Sequence, residues 1–122
     1  MNKGYWVARV NIDNTEAFKD YATRAKLAIE KFGGKYVTRG GKFFIIEGKH
    51  EFERNVIVEF PSVKIAKDCY NSREYQEAKS YRVGKADFNA IIIEGYQYWI
   101  GSSSIERQRY QVATEQYGVN FL

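Results

Sequence analysis

Arg9, Glu59 and Glu94 are the residues whose types and places could do chemistry together. Each lies in a stretch of strand-like alternation. A sheet that sets the first stretch between the other two puts one guanidinium between two carboxylates, on the face pointing away from the helices. A charge in mid-sheet is costly unless it is paired. Such a trio can satisfy itself as an ion-pair network, hold a proton, or position a polar ligand, and the residues alone leave these open. Arg39, beside Gly40-Gly41, and Arg54, just before the central strand, can clamp an anionic group bidentately or simply lie solvated. His50, the only histidine, stands in a Gly-Lys-His-Glu loop. Its ordinary pKa suits a general base near neutral pH, although an exposed loop histidine is the plainer reading. Tyr21, Tyr70 and Tyr75 can converge where helices meet the sheet edge, and a phenol serves a core or a pocket equally well; Tyr75 is taken as a ligand contact.

Other chemistries are poorly supported. A single cysteine excludes an intramolecular disulfide framework, and one cysteine with one histidine cannot build a thiolate/imidazole zinc site of the usual spacing. Cys69 falls on the apolar stripe of its helix and reads as a buried filler. The double glycine at 40–41 is followed by a strand-like run, whereas phosphate loops open a helix. No metal and no cofactor are expected. The sequence names no reaction, and whether the chain is an enzyme stays open.

The elements that must position these residues are legible. At 122 residues, 44% hydrophobic and 28% charged, the chain suits one globular domain with a real core. Gly4 to Ile12 alternates as a strand with Trp6, Ala8, Val10 and Ile12 toward the core. A helix capped at Asn14 follows, with Phe18, Tyr21, Ala22, Ala25, Ile29 and Phe32 as its stripe and Gly33 as a left-handed stop. Lys35–Arg39 and Lys42–Glu47 read as a hairpin turned at Gly40-Gly41. Val56–Phe60 is a strand ended by Pro61, the only proline, and Ser62 caps the next helix. That helix is interrupted at Asn71-Ser72 and continues with Tyr75, Ala78 and Arg82 on one side. Phe88–Tyr96 is the last strand. The order is the split β-α-β, ferredoxin-like plan: α+β, with a four-stranded antiparallel sheet plus an extra hairpin. Residues 1–98 form this domain. Residues 99–122 read as a helical tail with a capping box at Ser103 and Glu106, and its apolar end (Val119, Phe121, Leu122) is expected to dock across a partner.

The net charge of +4 and this element order are shared with RNA-recognition domains, which stack bases on aromatic residues of the third strand. Here that strand's open face shows Ile57 and Glu59, and an acidic residue repels phosphate. No nucleic-acid partner is expected. Nor is a membrane one: no apolar run reaches the length of a span, and MNKGYWVARV lacks a signal-peptide pattern, so a cytoplasmic location is the expectation.

Several strings together resemble the small bacterial family called domain of unknown function 1330, of the dimeric α/β-barrel superfamily. They are Gly4-Tyr5-Trp6-Val7, Phe32-Gly33-Gly34, Arg39-Gly40-Gly41, Glu47-Gly48, Glu59-Phe60-Pro61-Ser62, Tyr70-Asn71-Ser72 with Glu74-Tyr75, and Glu94-Gly95. They run in the family's order over roughly residues 3 to 96; the chain beyond departs from the usual short ending. The resemblance implies a homodimer paired through the sheet face, with no established activity. The expectation is therefore a homodimer that binds a small polar or anionic molecule in a cavity by that face, near Arg9, Glu59 and Glu94, and can convert it without a cofactor, carboxylates accepting protons and arginine anchoring the anion. The rival is a non-catalytic dimeric module whose charged sheet face only specifies the interface.

Overall fold

The structure, a computed structural model, describes residues 2–96. The elements run β1 (Gly4–Ile12), α1 (Thr15–Lys31), β2 (Lys35–Arg39), β3 (Arg54–Phe60), α2 (Val63–Asn71), α3 (Arg73–Ser80) and β4 (Ala86–Glu94). The four strands form one antiparallel sheet in the order β2-β3-β1-β4. This is the ferredoxin-like α+β plan, with the first strand between the third and the fourth. The tail at 99–122 lies outside the described residues.

Period-two alternation decides the two faces. Trp6, Ala8 and Val10 of β1 and Val58 and Phe60 of β3 are buried toward the helices. Phe18, Tyr21, Ala25, Ala28 and Ile29 of α1 close over them, and Ala66, Cys69, Tyr75 and Ala78 come from α2 and α3. Each large side chain so buried contributes about 1.5–3 kcal/mol. The one polar atom of Trp6 is satisfied, its indole N–H donating to the Ala66 carbonyl at 3.0 Å.

The helix ends follow from local chemistry. Asn14 accepts from the Ala17 amide at 3.0 Å and Ser62 from the Ile65 amide at 3.1 Å. Ser72 accepts from the Tyr75 amide at 3.2 Å, so the interruption at Asn71-Ser72 is a break that restarts the helix as α3. Gly33 takes φ 76, as expected past a helix end.

The extra hairpin is corrected. Residues 41–53 form no strand, and β2 pairs instead with β3, across a register shift between Tyr36 and Thr38. The run Phe43-Phe44-Ile45-Ile46 has strand propensity, but it does not pair with β2, whose outer edge stays open at the end of the sheet. Strand propensity alone does not make a ladder. Gly40 takes φ 71, a conformation that side-chain-bearing residues rarely adopt, and lies beside the Arg54 guanidinium. The long connection is pinned at its base. The Asn11 side-chain amide donates to the Glu51 carbonyl at 2.6 Å, its oxygen accepts from the Glu53 amide at 2.8 Å, and Phe52 is buried.

Candidate functional site

The register separates the trio read from the sequence. Arg9 faces Asn55 on β3 and Asn89 on β4, while Glu59 faces Tyr5 and Glu94 faces Gly4. Arg9 and Glu59 share the open face but stand four residues apart along the ladder, about 13 Å. Glu94, opposite Gly4, belongs to the helix-side row. For Arg9 and Glu59 the face was right and the offset between strands was not visible in it; for Glu94 the face itself is corrected. Arg9 lies over the Phe52 ring at 4.9 Å. Glu59 accepts from the Lys3 ammonium at 3.1 Å and the Tyr5 hydroxyl at 3.0 Å, and these two hydrogen bonds hold its carboxyl below the usual carboxylate range. The same bond raises the Tyr5 phenol. An anion so well held is a weak proton acceptor.

The remaining sequence candidates disperse. Arg39 lies over Tyr36 at 4.6 Å and donates to the Ala22 carbonyl at 3.2 Å. Arg54 lies 5.8 Å from the Phe18 ring, with its Nε buried and unpartnered among the described residues. The two do line one gap beneath α1, but it measures about 40 Å³, room for a water and not for a ligand. His50 stacks on Phe43 at 4.2 Å in the β2–β3 connection. Cys69 is buried, and burial pushes its thiol up to about 12, which removes it as a nucleophile. Among the described residues no group of three or more His, Cys, Asp or Glu side chains could hold a metal ion.

What the fold does build is a cleft on the helix side of β4. It measures about 500 Å³ and is lined by Trp6, Ala8, Tyr70, Tyr75, Lys79 and Arg82, with Phe88 to Ile92 of β4. It lies along β4, the edge strand, where Ala90 stays exposed. Tyr75 is only 1% exposed, and its hydroxyl lies 2.7 Å from that of Tyr21. Burial raises the Tyr21 phenol well above its ordinary range, so it stays neutral.

Arg82, just past α3, is 7% exposed. Its guanidinium lies 3.6 Å from the Phe88 ring centre and 5.0 Å from that of Tyr21. One terminal nitrogen reaches the Tyr75 hydroxyl at a long 3.4 Å, and Nε is buried with no partner among the described residues. No carboxylate of the described residues pairs with it. One turn earlier, Lys79 donates to the Tyr70 hydroxyl at 2.9 Å. Two cations and two phenols therefore meet in one apolar cleft. Of these residues the sequence reading took only Tyr75 as a ligand contact. The signal for Arg82 was its place on the apolar stripe with Tyr75 and Ala78, where a cation has no business without a partner.

The open sheet face is a separate feature. Val7 faces Ile57 and Ile91 across the ladders, and Tyr5 faces Ile93. Ile91 is 59% and Ile93 50% exposed, so the middle of this face is apolar, with polar ends at Arg9 and Glu59.

Comparison with known proteins agrees with this architecture. A crystal structure of a protein of unknown function from Rhodopseudomonas palustris superposes with TM-score 0.65 at 21% identity, over 80% of this chain and 85% of that one. SnoaB, a cofactor-independent oxygenase from Streptomyces nogalater, superposes with TM-score 0.54 at 7% identity, over 82% and 99%. An ethyl tert-butyl ether d (ethd) family protein from Bacillus halodurans gives 0.51 at 13%, over 79% and 100%. At these identities the likeness is one of fold. No curated protein matches the chain. A family match does extend over residues 3–96, and on it the chain belongs to the family of the domain of unknown function DUF1330.

Proposed function

We propose that this protein binds a small polar or anionic molecule in the cleft between α2–α3 and β4, and that it works as a homodimer paired through the open sheet face. The observation that carries the first part is Arg82, a buried cation without a carboxylate partner among the described residues, on the wall of a cleft of about 500 Å³. A charge held out of water costs several kcal/mol, and an arriving anion supplies the missing pair. A cleft of this size with a few polar groups on apolar walls matches small-molecule sites. The second part rests on Ile91 and Ile93, exposed apolar side chains on that face that a partner would cover.

The catalytic form of the proposal is conversion without a cofactor, as the Streptomyces nogalater oxygenase of the same fold is cofactor-independent. The titratable groups that line the cleft are Tyr70, Tyr75, Lys79 and Arg82. Proton transfer here falls to phenols and an ammonium, because Glu59, Glu94 and His50 do not line it. A second reading, a dimeric module that binds nothing, is favoured by the apolar sheet face alone and leaves Arg82 without an explanation. A cytoplasmic location fits a chain with no helix, among the described residues, long and apolar enough to cross a membrane.

A fragment screen by ligand-observed NMR, run on wild type and on Ala90→Trp, tests the cleft. Ala90 is an exposed lining residue, so the indole fills the cleft without opening the core. Hits lost in Ala90→Trp support the proposal; hits that all persist contradict it.

A further inference from the structure

Resting on that reading of the cleft, we infer that its occupant is a flat aromatic acid carrying one negative charge at its edge. The cross-strand pairs along the cleft side of β1 and β4 give the shape. Ala8 faces Ala90, flanked by Trp6 facing Ile92 on one side and Val10 facing Phe88 on the other. The alanine pair leaves a low floor between two high walls. The walls stand four residues apart along the strand, about 13 Å between backbones, which admits a ring system edge to edge once the side chains are subtracted. Tyr70 and Tyr75 line the cleft from the helix side, and Trp6 packs edge-on to both, with ring centres 6.2 and 4.9 Å away. Aromatic and aliphatic surfaces on floor and roof select a thin apolar body.

The charge and its position follow from the same residues. Both charged residues among those lining the cleft, Lys79 and Arg82, are cationic. Phe88 covers one face of the Arg82 guanidinium at 3.6 Å, so its donors are offered in the plane of the group. In-plane paired donors match a carboxylate or a similar planar oxyanion. Lys79 already spends one donor on Tyr70. Arg82 alone supplies paired in-plane donors, and a tetrahedral phosphate places only two of its oxygens in that plane.

The test is titration of the full chain with 2-naphthoate, its neutral counterpart 2-naphthamide, and inorganic phosphate, repeated on Arg82→Met and on Ala90→Leu. Wild type is expected to bind naphthoate at least about tenfold tighter than the amide, the advantage of a charge-assisted paired contact. Arg82→Met should erase that preference, and Ala90→Leu, which raises the floor, should weaken both aromatic ligands. Phosphate binding as tight as naphthoate overturns the aromatic class. Equal binding of acid and amide, still lost in Ala90→Leu, overturns the charge assignment and leaves the cleft reading standing. Naphthoate binding that survives Ala90→Leu overturns both. Absence of naphthoate binding to wild type overturns this inference, while the fragment screen judges the cleft separately.

Discussion

The Arg82 guanidinium stacks 3.6 Å from the centre of the Phe88 ring, and this contact joins the end of α3 to the edge strand β4 at the mouth of the cleft. It gives the cation a place to rest without giving it a counter-charge. A cation–π contact that is shielded from water returns about 2 kcal/mol, less than the several kcal/mol that desolvating a charge costs. The Tyr21 ring and the Tyr75 hydroxyl add contacts but no counter-charge, and an anion in the cleft would supply it.

Arg82→Met should raise stability. The thioether chain fills similar volume, keeps contact with Phe88 and Tyr21, and removes the desolvated charge. Thermal unfolding is expected to show a gain of about 1 kcal/mol, or a few degrees in Tm. A loss of several degrees would make Arg82 a structural residue.

Glu59 predicts a pH effect of known sign. Hydrogen bonds from Lys3 and Tyr5 hold its folded-state carboxyl below the usual range. Its stabilising contribution is therefore present above the unfolded-state pKa, about 4.3, and is lost as pH falls through the lower folded value. The Lys3 and Glu59 side chains are 57% and 24% exposed, so the contribution stays in the exposed-pair range of about 0.2–1 kcal/mol. Chemical denaturation of wild type and Glu59→Gln should differ by that amount at pH 7 and converge in acid. A difference that grows as pH falls would reverse the sign and refute the assignment.

Ile91→Glu, on the open face, should abolish self-association with little effect on the fold of each subunit. The residue is 59% exposed in the single chain, so its replacement costs the monomer about 0.5 kcal/mol or less. Sedimentation equilibrium reads the outcome. A wild-type monomer, or a dimer indifferent to this change, would remove the sheet-face dimer.

Much of the fold was legible because alternation and capping are local. Trp6, Ala8 and Val10 announced the buried face of β1, and Asn14, Ser62 and Ser72 each cap a helix. The hairpin at 42–47 was misread because strand propensity in Phe43 to Ile46 is context-dependent and does not by itself make a run pair. The site was misread for a related reason. Placing Glu59 beside Arg9 needed the offset between strands, and a face pattern of period two is unchanged by sliding one strand past another by two residues; Glu94 stands on the helix-side row, so its face was misread as well. Arg82 was visible as a cation on an apolar stripe. The empty space beside it was not, because the cleft arises from tertiary packing of the helices against the sheet, which no local pattern encodes.

The central claim, that the helix-side cleft of β4 is the binding site, is met most directly by amide chemical-shift mapping of 2-naphthoate and the fragment hits on the isotopically labelled protein. The account predicts shifts concentrated at Lys79, Arg82, Phe88 and Ala90. Shifts confined to Tyr5, Val7, Ile57 and Ile93 on the open sheet face would contradict it.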